Sequence, residues 1–208
     1  WAAQRGQSLF GVVEDSSGAF LVQFSLPDLV ELSRQPLPDT LDLAYFDCDG
    51  DGRIFYTQNG TLWTRSPMGQ PENLGLTVTF LEVTPQGTVV TSGSGGLRWG
   101  PSSQPDSWEQ TTFLFPLSFL LGESHFVTLL KTVYALDNPT SPVGSLPVTN
   151  SSFCDLDQKG NLVLLEDTQV TCSTLSGEPL GTATLAGTPL AVCGSGALWT
   201  EQKTCWFT

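Results

Sequence analysis

A single turn design recurs along this chain at nearly constant spacing, and no other feature limits its fold as much. Residues 52–63, Gly-Arg-Ile-Phe-Tyr-Thr-Gln-Asn-Gly-Thr-Leu-Trp, read as two short strands around a hairpin. Asp51-Gly52 and Asn59-Gly60 are hairpin signals, because these residues accept the positive φ such turns require. The same frame places turn glycines at Gly18, Gly52, Gly87, Gly122, Gly160 and Gly196, spaced 34, 35, 35, 38 and 36 residues apart. Ten to twelve residues after each comes Val30, Trp63, Trp99, Tyr134, Cys172 or Trp206. A weaker echo, Leu74-Gly75 before Gly87 and Arg5-Gly6 before Gly18, leads to the expectation that the chain starts in the middle of a repeat.

A period in this range belongs to supersecondary units that stack or close radially. Helical repeats are excluded: Gly and Pro are frequent (21 and 14 residues), and the apolar residues lack a 3.6-residue period. Short β-rich runs cut by turns fit four strands per repeat, which is a propeller blade. In period and strand pattern the whole chain resembles WD40-like propellers, without their Gly-His and Trp-Asp dipeptides. That resemblance implies an all-β, six-bladed propeller of roughly 35-residue blades, with residues 1–208 forming one domain. The sixth repeat ends after its third strand, so residues 1–6 are expected to close the last blade as its outer strand, as a clasp.

Charge and composition narrow the partners. The formal net charge is −13 from 8 basic and 21 acidic residues, which repels phosphate backbones and anionic membranes. Apolar residues 113–121 contain Pro116 and Ser118 and are far too few to span a bilayer. Five cysteines, Cys48, Cys154, Cys172, Cys193 and Cys205, lack a Cys-x-x-Cys pair and read as buried thiols inside strands. Asn59-Gly-Thr and Asn150-Ser-Ser match the glycosylation pattern, but Asn59 sits in a tight turn. These features point to an intracellular chain, cytoplasmic or nuclear, with secretion as the alternative.

The sharpest candidate site is Asp47-Cys48-Asp49-Gly50-Asp51-Gly52. Alternating aspartates around a tight bend are what a hard calcium ion takes. The segment looks like the Asp-rich loops of integrin-type FG-GAP propellers, in which such loops bind calcium. The later acidic ligand is missing, since Phe55 and Gln58 occupy its positions, and a plain hairpin explains the residues equally. His125, the one histidine, lies in a blade turn and reads as a surface residue, and Asp155 with Asp157, or Glu166 with Asp167, read as solvated turn acids. Trp63, Trp99 and Trp206 share one repeat position and read as packing between blades, although repeating aromatics also form sugar pockets in propeller lectins. Trp108, alone in a polar loop, reads as an interface anchor.

The expectation is therefore a chain that is not an enzyme, with no catalytic residue, cofactor or metal. It would be a scaffold for protein partners, a subunit of a larger complex that binds neither nucleic acid nor membrane. The alternative is a ligand-binding propeller, lectin-like or calcium-binding at Asp47, Asp49 and Asp51.

Overall fold

The computed structural model describes residues 1–84, 86–113, 116–122, 124–146, 153–157, 159–166, 168–184, 189–193, 197–200 and 204–206. For residue 153 and for residues 189–206 it describes the backbone. The residues fall into two compact units, Trp1–Pro116 and Leu117–Thr208. The fold is nearly all β, and among the described residues the one helical segment is a 3₁₀ turn at Pro105–Ser107.

The first unit opens with a four-stranded antiparallel sheet of β1 (Ala2–Arg5), β2 (Ser8–Asp15), β3 (Gly18–Ser25) and β4 (Glu31–Pro36), paired in that order. A seven-stranded sheet follows, made of β5 (Asp42–Cys48), β6 (Ile54–Gln58), β7 (Thr61–Arg65), β8 (Glu72–Val83), β9 (Thr88–Gly93), β10 (Gly96–Pro101) and β11 (Glu109–Thr111). Strand β8 joins two blade-like halves. Thr77 pairs with Thr61 and Asn73 with Trp63 in β7, whereas Val78 pairs with Gly93 and Val83 with Val89 in β9. Gly75 makes the crossing feasible at φ 66°, with its N–H donating to Asn73 Oδ1 (2.8 Å).

The second unit holds two four-stranded sheets. One is β12 (Leu117–Leu121), β13 (His125–Thr128), β14 (Thr132–Ala135) and β15 (Asn138–Ser145); the other is β16 (Phe153–Leu156), β17 (Leu162–Glu166), β18 (Gln169–Ser173) and β19 (Pro179–Thr184). A three-stranded sheet of β20 (Pro189–Cys193), β21 (Ala197–Thr200) and β22 (Thr204–Trp206) ends it.

Alternation along β6 explains how the sheets stack. Successive strand residues face opposite ways. Ile54 and Tyr56 therefore join Phe10, Leu21, Leu37 and Phe46 in one core cluster, and Phe55 joins Leu62, Val78, Val83 and Val89 in the next. A strand apolar on both faces is one sandwiched between sheets, and each such side chain contributes about 1.5–3 kcal/mol. The second unit repeats the plan, with Leu121, Val127 and Val133 packed on Leu156 and Leu162.

Two expectations change. Among the described residues the N-terminal strand belongs to the first sheet and not, as expected, to the last: β1 pairs with β2, Arg5 opposite Ser8 and Ala2 opposite Gly11. The cause is local. Gly6, at φ 58°, turns the chain in a two-residue hairpin, and a short hairpin costs far less closure entropy than pairing with the far end. As a result Gly18 opens the third strand of its sheet, whereas Gly52, Gly122 and Gly160 lie between the first and second strands of theirs and Gly87 between β8 and β9. Val30 accordingly falls outside any strand, while Trp63, Trp99, Tyr134, Cys172 and Trp206 lie in β7, β10, β14, β18 and β22. Gly196 lies outside the described residues.

Candidate functional site

The carboxylates of the candidate calcium loop turn inward and are occupied by protein donors. Asp47, at the end of β5, forms a buried ion pair with Arg5 of β1 (Nη2–Oδ1, 2.9 Å), their side chains 10% and 9% exposed. Its Oδ1 also accepts the N–H of Cys48 (2.8 Å), and its Oδ2 the N–H of Val83 at the end of β8 (2.7 Å). Arg5 donates further to the carbonyls of Cys48 (3.0 Å) and Val83 (2.9 Å). Arg5 and Asp47 thus fasten three strand ends, β1, β5 and β8, at one point. Burial holds the Asp47 carboxyl above its ordinary pKa, outweighing the attraction of Arg5 and the amide donors, and it pushes the Cys48 thiol far up.

Asp49 does different work. Its Oδ1 accepts the N–H groups of Asp51 (3.0 Å) and Arg53 (2.9 Å), which shapes the turn, and its Oδ2 accepts the Ser102 hydroxyl (2.7 Å). Asp51 is exposed. The three carboxylates do not converge, and among the described residues no group of three or more His, Cys, Asp or Glu is placed to hold a metal ion. Added calcium, or its chelation, is expected to leave the melting temperature unchanged. A calcium-dependent rise would show that the loop rearranges to bind it.

The same device returns in the second unit, at the Asp155 and Asp157 expected to be solvated turn acids. Asp155 Oδ1 accepts the N–H of Leu156 (2.8 Å) and, from the neighbouring sheet, that of Gly122 (3.1 Å). Asp157 Oδ1 accepts the N–H groups of Lys159 and Asn161 (2.8 Å each). The first Asp of each Asp-x-Asp ties sheet to sheet, and the second closes the turn. The signal lay in the spacing, because Asp47 and Asp155 each stand five residues before their turn glycine, and Asp49 and Asp157 three. Thr84, three before Gly87, takes the second role through its hydroxyl, which accepts the N–H of Thr88 (3.0 Å). Asp167 lies outside the described residues, as does Asn150.

Three further candidates are placed as follows. His125 is half-buried, with Nδ1 3.0 Å from the Ser124 hydroxyl; burial lowers its pKa and the charge of Asp137 partly restores it. Trp63 packs at the margin of the first core cluster, and Trp99 lies half-buried in β10. Trp206 has only its backbone described. Trp108 is not the free-standing anchor its polar loop suggests. Its ring lies against Phe55 (centroids 5.9 Å), its indole N–H donates to the Pro101 carbonyl (3.0 Å), and it packs on the second core cluster. Gly100 makes room for it, since a Cβ there would lie 2.5 Å from Trp108 Cδ1. A polar neighbourhood in sequence concealed an apolar one in space.

Beside Trp108 runs a cleft whose walls include Glu72, Leu74 and Leu76 of β8, Arg98 of β10 and Asp106. A second cleft along the β9–β10 hairpin shares Leu76 and Arg98 with it. Surface apolar residues gather elsewhere: Leu29, Val30 and Leu32 are 55%, 57% and 57% exposed, and Leu130, at the β13–β14 tip, is 81% exposed.

No family model matches the chain, and no curated protein does. Solved structures do. A catalytically inactive virginiamycin B lyase from Staphylococcus aureus, with quinupristin, is 14% identical, with a TM-score of 0.54 over 97% of this chain and 80% of its own. Hsv2 from Kluyveromyces lactis is 13% identical, with a TM-score of 0.56 over 95% and 69%. BBS1N, in complex with ARL6DN, is 12% identical, with a TM-score of 0.53 over 95% and 72%. One correction follows. The expectation that the chain is not an enzyme does not stand, because a lyase is among the neighbours and the fold is compatible with either role. At these identities the likeness carries the fold alone, and it agrees with the sheets described above: the chain is built as a β-propeller.

Proposed function

We propose that this chain is a protein-interaction module and a subunit of a larger assembly, with residues 1–208 working as one propeller domain. The observation that carries the reading is the cluster Leu29, Val30 and Leu32, each more than half exposed. It spans the β3–β4 turn and the edge strand β4, which among the described residues pairs with β3 alone. Apolar side chains beside an unpaired strand edge are a surface that a partner covers. The neighbour BBS1N, a propeller in complex with ARL6DN, shows that such a scaffold serves this purpose elsewhere. The net charge of −13 favours a protein over a nucleic acid or an anionic membrane. Among the described residues no helix is long and apolar enough to cross a membrane. The described cysteines, Cys48, Cys154 and Cys172, are free thiols, which supports a reducing, intracellular compartment.

The test is an affinity pull-down from cell extract, read by mass spectrometry, with calcium and with chelator. A stoichiometric protein partner that survives chelation and is lost from a Val30→Glu, Leu32→Glu double variant is the expected result. Absence of any protein partner, or capture in calcium alone, would overturn the reading in favour of a ligand-binding propeller.

A further inference from the structure

We infer that the cleft between the outer half of β8 and the loop carrying Trp108 is a docking groove for an extended peptide strand bearing a carboxylate. The inference rests on the interaction reading above and adds a second contact site to the Leu29, Val30 and Leu32 cluster.

Backbone geometry comes first. Residues 72–77 of β8 pair with β7 along one edge and line the cleft through Glu72, Leu74 and Leu76. The kink at Gly75 separates this half from the part of β8 that pairs with β9, so the groove opens at the point of divergence. Its far end is drawn tight, because Gly93 lies against the Thr77 carbonyl, where a Cβ would come within 1.9 Å. A strand beside a groove offers N–H and C=O groups at strand spacing, which a peptide in extended form matches residue by residue.

Side chains then select the peptide. Leu74 and Leu76 are half-buried on the second core cluster and floor part of a mostly polar cleft, and the Trp108 indole, pinned by Phe55 and Pro101, forms a rigid wall. Arg98 lines both clefts and makes no hydrogen bond or ion pair with the described residues. Most arginines of the first unit are engaged, Arg5 with Asp47, Arg34 with Asp15 and Glu31, and Arg65 with Gln35 and Pro36. A planar guanidinium without an acceptor is matched best by a carboxylate, which accepts two of its N–H groups. Glu72 and Asp106 line the same cleft and repel further acids, so the segment carries one carboxylate among uncharged residues.

The experiment selects from a phage-displayed library of short random peptides on the immobilised full chain. Selected peptides are then measured against the wild type, Arg98→Glu and Arg98→Ala, with backbone hydrogen exchange read across residues 72–77. Expected are peptides with a single acidic residue, slowed exchange in residues 72–77, and affinity reduced on the order of tenfold or more by Arg98→Glu. Peptides that bind Arg98→Glu equally well, or that protect another segment, overturn the groove. So does failure to select any peptide, including where a glycan array instead gives binding that Arg98→Glu abolishes. Repeating the pull-down with Arg98→Glu separates the two proposals. A partner retained by the variant overturns the groove and keeps the interaction reading, whereas no partner for the wild type overturns both.

Discussion

Replacing Arg5 by alanine is expected to lower stability by about 3–5 kcal/mol, because it strips a buried carboxylate of its counter-charge. The ion pair is almost closed to solvent, and the guanidinium also holds the Cys48 and Val83 carbonyls, so three strand ends lose one shared fastener. Thermal unfolding should show a fall of about 6–20 °C. Arg5→Lys should rescue little, since an ammonium cannot reach two carbonyls and a carboxylate with a planar fork. The loss also has a pH signature. Desolvation raises the folded-state pKa of Asp47 above its ordinary value. A carboxyl raised in this way takes up its proton in the folded state first as pH falls. Folding therefore gains stability on acidification from the folded pKa down to the unfolded value near about 4 and loses it as pH rises again. Without Arg5 the folded pKa climbs further. The deficit of the variant should thus be largest at neutral pH and shrink on acidification. A deficit that stays constant across that range would mean that Asp47 carries no charge in the wild type.

Trp108→Ala is the second large effect, expected at about 2–3 kcal/mol, at or just below the range for removing a large aromatic from a core, because the ring is half-buried. The indole fills space against Phe55 and tethers Pro101, so its loss opens a cavity and frees the loop that carries the 3₁₀ turn. Chemical denaturation would check this. Unchanged stability with weakened partner binding would restore the interface role that the loop sequence implies. Trp108→Phe should recover the packing and lose the Pro101 hydrogen bond, at a cost of about 1 kcal/mol.

The repeat was legible because its signals are local. Turns such as Asn59-Gly60 have both central residues at positive φ (53° and 74°), a demand that residue type reveals without reference to the rest of the chain. The strand aromatics Trp63, Trp99 and Tyr134 were legible for the same reason, as one position in a repeating unit. The Arg5–Asp47 fastener was not. Its partners are 42 residues apart, and nothing in Arg5-Gly6 or Asp47-Cys48 names the other. The Asp-x-Asp device was half legible: its spacing before the turn glycine repeats, but alternating acids also describe a cation loop, and their direction separates the two readings.

What the sequence determined by itself is the strand-and-turn rhythm, because hairpins depend on φ preferences and on alternation within a few residues. Even the first hairpin, Gly6-Gln7, follows that rule and pairs β1 with β2. Only the tertiary structure decided what the polar side chains do. A carboxylate or an indole takes its role from what lies across the gap, whether the Val83 amide for Asp47, Ser102 for Asp49 or Phe55 for Trp108. Desolvation in that gap converts a charge or a ring from a surface feature into a structural tie.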